Sequence, residues 1–143
     1  MKKVLLIAVL AMAVLCAACA ADQGEGPILT GDTTTVTQVK VFYLSEGKLT
    51  LDSEEHSEQV KALVEQLNKI ATASSTEPMD AAAFTQPKYI IDVIYAEGGV
   101  DEIYSNEAGD FFFRIIDAED NYFGGENSKI QGILEDYKQY INK

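Results

Sequence analysis

Hydrophobic residues follow three different spacings along this chain. They form an unbroken small and apolar run from Val4 to Ala21, alternate with polar residues from Val36 to Leu51 and from Tyr89 to Asp117, and recur at helical intervals from Val60 to Ile141 in two blocks. Strict alternation marks a half-buried strand, and recurrence every three to four positions marks an amphipathic helix. Val39, Val41 and Tyr43 alternate with Gln38, Lys40 and Phe42, Ser45-Glu46-Gly47 supplies a turn, and Lys48 to Leu51 completes a β-hairpin. Val60, Leu63, Val64, Leu67 and Ile70 then share one face of a helix expected over Ser53 to Ala71, opened by Asp52 and Glu55 as a capping box.

Thr72 to Pro87 has no clear period and reads as a long connection. Three strands follow, Tyr89 to Ala96, Val100 to Asn106 and Phe111 to Asp117, joined by turns at Glu97-Gly98-Gly99 and Glu107-Ala108-Gly109. Asp117 to Gly125 reads as an acidic turn. Ile130, Ile133, Leu134, Tyr137, Tyr140 and Ile141 mark a closing helix, with Ser128 and Gln131 as its expected cap. The order ββαβββα predicts an α+β fold: an antiparallel sheet of about five strands with both helices on one face, since each helix has one apolar stripe to bury.

Alternation also divides the sheet residues. With Tyr89, Ile91, Val93, Tyr95, Phe111, Phe113 and Ile115 turned to the helices, the other face carries Ile90, Asp92, Ile94, Phe112, Arg114 and Ile116. That face is amphipathic, with Asp92 and Arg114 placed to pair across it. Its apolar area is more than a monomer usually leaves unused, which makes it the expected binding face for a protein, a small ligand or a second copy of the chain.

The amino terminus gives the address. Lys2 and Lys3 followed by the apolar run have the layout of a secretory signal, which places the rest of the 143-residue chain outside the cytoplasm. Within it, Leu15-Cys16-Ala17-Ala18-Cys19 resembles the lipobox of bacterial lipoproteins, in which two small residues precede the lipidated cysteine. The resemblance covers about five residues and implies Cys19 as the lipidation site and membrane anchor, although Cys16 stands where the family has leucine. In general style the chain resembles small lipoproteins of Gram-positive bacteria, a likeness that carries no functional residue across. The expected division is a signal peptide over 1–18, lipidated Cys19 and a flexible tether over 19–34, and one domain over 35–143. Two alternatives stay open: Ala18-Cys19-Ala20 also suits an ordinary signal peptidase, releasing a secreted protein, and the apolar run is long enough to remain as a weak membrane span.

Charge and cysteine use narrow the chemistry. Lys2 and Lys3 belong to the export segment, so the remainder has 9 basic residues against 23 acidic ones, a formal charge of −14 compared with −12 for the whole chain. Arg114 is the one arginine and the lysines are scattered, which excludes the basic stripe that nucleic acid requires. Both cysteines lie in the export segment, so the domain has neither an internal disulfide nor a thiol for catalysis or zinc. His56, the single histidine, falls on the buried stripe of the first helix and reads as a hydrophobic-staple residue packed on Leu51. Asp117, Glu119 and Asn121 offer oxygen ligands to calcium, but an EF-hand register starting at Asp117 puts Tyr122 at the glycine position and Ser128 at the bidentate glutamate position. No cofactor is implied. The expected function is a non-enzymatic binding or interaction module of the cell envelope. The alternatives are an exported hydrolase or metal-dependent enzyme using clustered acids, and a secreted structural dimer.

Overall fold

The computed structural model describes residues 27–70, 73–75, 86–116 and 122–141. Strands β1 (Val36–Tyr43) and β2 (Gly47–Asp52) form the expected hairpin, followed by helix α1 (Ser57–Asn68) and a three-residue strand β3 (Ala73–Ser75). Strands β4 (Tyr89–Tyr95), β5 (Val100–Ser105), β6 (Phe111–Ile115) and β7 (Tyr122–Glu126) come next, and helix α2 (Ser128–Tyr137) closes the order. Every pairing is antiparallel, in the spatial order β2-β1-β4-β5-β6-β7-β3. The α+β class is therefore as expected, with six main strands and a short edge strand instead of about five.

The two extra strands have separate causes. β7 falls where the sequence predicts a turn, because Gly124 and Gly125 look like turn residues. In the sheet they serve close approach: a Cβ on Gly124 would stand 2.2 Å from the Phe112 carbonyl oxygen, so only glycine fits opposite β6 there. β3 falls in the expected connection and pairs with β7 over Ala73 to Ser75.

One core lies between the sheet and both helices. Val60, Leu63, Val64 and Leu67 of α1 and Ile130 and Leu134 of α2 pack with Val39, Val41, Leu49, Leu51, Tyr89, Ile91, Val93 and Ile103 from the sheet. α1 starts four residues later than expected, since Asp52 spends its side chain on the Glu54 amide and its carbonyl on the His56 amide, making a turn first. At α2 the cap is Asn127, not Ser128 with Gln131. Its side chain accepts from the Lys129 amide and donates to the Gln66 carbonyl, tying the start of α2 to the end of α1.

The largest departure concerns β6. Phe112 is wholly buried in the helix-side core, and Arg114 lies on that same side, where its Nε donates to the Ile28 carbonyl at 3.0 Å and its guanidinium rests on the Phe123 ring. The expected outward placement of Phe112 and Arg114 is thus reversed, and Phe111, Phe113 and Ile115 belong to the other face. The reason is register: Ser105 pairs with Phe112 and Tyr104 with Phe113, so even-numbered residues of β6 join odd-numbered residues of β5. A shift of one position exchanges the faces of a whole strand. Asn106 sets that shift. Its Oδ1 accepts from the amides of Gly109, Asp110 and Phe111 at 2.8, 3.1 and 3.2 Å, and its Nδ2 donates to Asp110. Gly109 closes the loop at a φ of +82°, a conformation that favours glycine.

The amino-terminal boundary also moves. Ile28 and Leu29, expected within the tether, are buried members of the core, so the packed domain includes residues ahead of position 35.

Because Phe112 fills the core, Phe112→Ala should cost about 3–5 kcal/mol in urea unfolding, whereas Val100→Ala at the exposed edge of the other face should stay within about 0.5 kcal/mol. Equal losses would remove Phe112 from the core.

Candidate binding face and buried polar groups

The sheet face turned away from the helices is ordered in rows by strand register. Lys48, Phe42, Ile90, Tyr104 and Phe113 form one row across β2, β1, β4, β5 and β6; Thr50, Lys40, Asp92 and Glu102 form the next; Asp52, Gln38, Ile94 and Val100 form the third. Two rows rich in apolar side chains therefore flank a charged one. Phe42, Ile90, Ile94 and Tyr104 are half-buried and Val100 is 54% exposed, while Phe113 is wholly buried, with Tyr104 stacked on it and Phe111 and Tyr122 beside it. Ile116, past the end of β6, is 49% exposed.

Of the six residues expected on this face, Ile90, Asp92 and Ile94 are there together, Phe112 and Arg114 are on the opposite side, and Ile116 is exposed beyond the strand. The expected Asp92–Arg114 pair does not form. Asp92 stands across from Lys40 and Glu102 instead, and its Oδ1 is buried with no hydrogen-bond partner among the described residues. Burial and the Glu102 charge push its carboxyl up from the ordinary range, against the opposing pull of Lys40 and Lys48. Tyr104, bonded to Glu102, is pushed up to about 12, mainly by burial.

Two further carboxylates are committed to the fold. Asp101 is buried on the helix side, where its oxygens accept from the Thr30 amide at 2.6 Å, the Thr30 hydroxyl at 2.6 Å and the Tyr95 hydroxyl at 2.7 Å. Burial alone would raise its pKa, but the bonds from Thr30, Tyr95 and the Gly31 amide outweigh it and hold the carboxyl below the usual range. The alternation of Asp101, Ile103 and Ser105 puts this acid on the buried side, a signal legible in the sequence.

Glu135 accepts from the Tyr89 hydroxyl and pairs with Lys88 at 3.2 Å and Lys138 at 2.7 Å, while Lys138 also reaches Glu46 at 2.9 Å. The Lys138 bond, followed by that from Tyr89, brings Glu135 down to about 2. Such an acid is a structural brace between α2, the β1–β2 turn and β4, and its pKa lies far from what proton transfer near neutrality requires.

Elsewhere, a groove of about 430 Å³ runs along α1, with Val36, Val60 and Val64 as its floor and Thr33, Lys61 and Glu65 on its rim. His56 is the N-cap residue of α1, makes no side-chain cap bond, and has a buried Nδ1 without a partner among the described residues. Cys19 and the calcium candidates Asp117, Glu119 and Asn121 lie outside the described residues. Among the described residues no group of three or more His, Cys, Asp or Glu is arranged to hold a metal, and no helix is long and apolar enough to cross a membrane. No family model, curated protein or solved structure matches the chain.

Since Asp101 is held below its unfolded value, its contribution is present above about pH 4 and fades as the pH falls through the folded value, where the unfolded chain binds a proton first. Asp101→Asn should cost about 1.5–3 kcal/mol at neutral pH and flatten the acid limb of stability, measured by thermal melting across the acid range. An unchanged acid limb would remove Asp101 as its source.

Proposed function

We propose that the chain is an exported lipoprotein of the cell envelope, anchored through Cys19, whose domain acts as a non-enzymatic binding module through its helix-free face. The observation that carries the binding role is the row pattern between β2 and β5, where half-buried Phe42, Ile90 and Ile94 and exposed Val100 flank a charged row with an unpaired Asp92 oxygen. An apolar surface with a polar stripe suits a protein partner: the apolar rows supply area and the charges fix register. Asp101 and Glu135 are tied up in structural bonds, whereas Asp92 on this face keeps an oxygen unmatched among the described residues. The export and anchoring part rests on Lys2, Lys3, the apolar run and the Ala17-Ala18-Cys19 sequence.

Cys19→Ala should move the protein from the membrane fraction to the medium or periplasm, while Cys16→Ala should not. Identical fractionation of the wild type and Cys19→Ala would overturn the anchor. For the face, a photo-crosslinking side chain at Ile94 should yield protein adducts in intact cells, whereas the same group at exposed Glu58 on α1 should yield few. Absence of adducts at Ile94 would overturn the binding role of this surface.

A further inference from the structure

We infer that the partner of the helix-free face is a second copy of this chain, packed face to face about a two-fold axis that runs parallel to the strands between β1 and β4. This rests on the reading of that face as the binding surface and names its occupant. The argument comes from charge. The chain has a formal charge of −12, so copies repel one another over most of their surface. On the β2–β5 part of this face, however, Lys40 and Lys48 stand against Asp92, Glu102 and Asp52, the last at the corner with its side chain engaged by the Glu54 amide, while a further acid of the face, Glu126, lies away on β7. Two lysines against three acids leave this part nearly neutral, so the approach of a like-charged copy is opposed only weakly here.

The arrangement of those charges also selects the symmetry. A two-fold axis perpendicular to the strands, through the charged row, would set each strand over its own copy and bring Lys40 onto Lys40 and Asp92 onto Asp92. An axis parallel to the strands between β1 and β4 exchanges these two columns at constant height. Lys40 of each copy then meets Asp92 of the other, and Phe42 meets Ile90, because the pairs Lys40–Asp92 and Phe42–Ile90 are level in the sheet. The contact is self-complementary, as a closed dimer requires. Neither Lys40 nor Asp92 forms an ion pair among the described residues, so both charges can pair with the other copy. The crossing of about 30° usual for aligned sheets needs the axis inclined to the strands by only half that angle, which keeps the β1 and β4 columns in contact near it and lets β2 and β5 diverge toward the rim.

The test uses sedimentation velocity of the full exported chain in a Cys19→Ala background, which removes lipid as a source of association, over about 1–100 μM. The parent should show concentration-dependent dimers. Lys40→Glu and Asp92→Lys, each placing like charges opposite one another across the axis, should each weaken dimerisation about tenfold or more, and an equimolar mixture of the two should regain it, because Glu at 40 then meets Lys at 92 in the other copy. Recovery on mixing cannot come from a change within one chain. Thermal melting checks that each variant is folded. If a reversal unfolds the chain, Lys40→Gln and Asp92→Asn replace the pair; each should weaken the dimer, and mixing them should restore it in part, because one Lys40–Asp92 contact re-forms in the mixed dimer. A parent that stays monomeric, or a dimer indifferent to these substitutions, overturns the inference. If Ile94 adducts contain an unlike protein while the parent is monomeric, the binding role stands and only the second copy is lost. A monomeric parent with no Ile94 adducts removes both.

Discussion

The Asn106 side chain holds the loop on which the arrangement of half the sheet depends. Three amides converge on its Oδ1, and that geometry fixes how many residues separate the last pair of β5 from the first pair of β6. Because faces alternate residue by residue, the loop decides whether Phe112 or Phe113 enters the core, and β7 inherits the result through Arg114 opposite Phe123. Short-range hydrogen bonds thus set a long-range outcome. The core then needs Phe112, Phe123 and the Arg114 guanidinium on one side, and the arginine is used there as a donor to the Ile28 carbonyl.

Charged groups complete what the apolar core begins. Asp101 fastens the segment around Thr30, 71 positions away in the chain, to the centre of the sheet, and Glu135 fastens the end of α2 to the start of β4. Each is stabilised by several donors, and for buried Asp101 that is the condition under which an ionised carboxylate tolerates burial. Both acids act as fasteners between distant parts of the chain. Asp92 differs from both, as its surroundings leave an oxygen unmatched.

The strand and helix pattern was legible where one period ran uninterrupted. Val39 to Tyr43, Tyr89 to Tyr95 and the two amphipathic stripes give elements within a few residues of those observed. Legibility ended where glycine has two meanings. Gly124 and Gly125 satisfy a turn and a crowded strand equally well, and only the backbone of β6 lying against them decides. The helix-free face was half legible for a related reason. Ile90, Asp92 and Ile94 share a strand whose register with β1 follows from simple alternation, whereas the face of Phe112 depends on a loop geometry that hydropathy does not encode. Ile28 and Leu29 were hidden by the polar, glycine-containing residues around them.

The spatial order of the strands has a kinetic consequence. β1 finds β2 through a short turn, but its other neighbour is β4, so Tyr43 must wait for Tyr89 and Val36 for Tyr95. Closing that seam brings together distant parts of the chain before many contacts reward it, which makes it a slow step in folding. In a chain that emerges amino terminus first, the hairpin forms early and α1 follows to cover Val39, Val41, Leu49 and Leu51, but the edge of β1 stays unpaired until β4 arrives. The interval between the emergence of Tyr43 and that of Tyr95 is therefore when this protein is most exposed to proteolysis and to association with other unfinished chains.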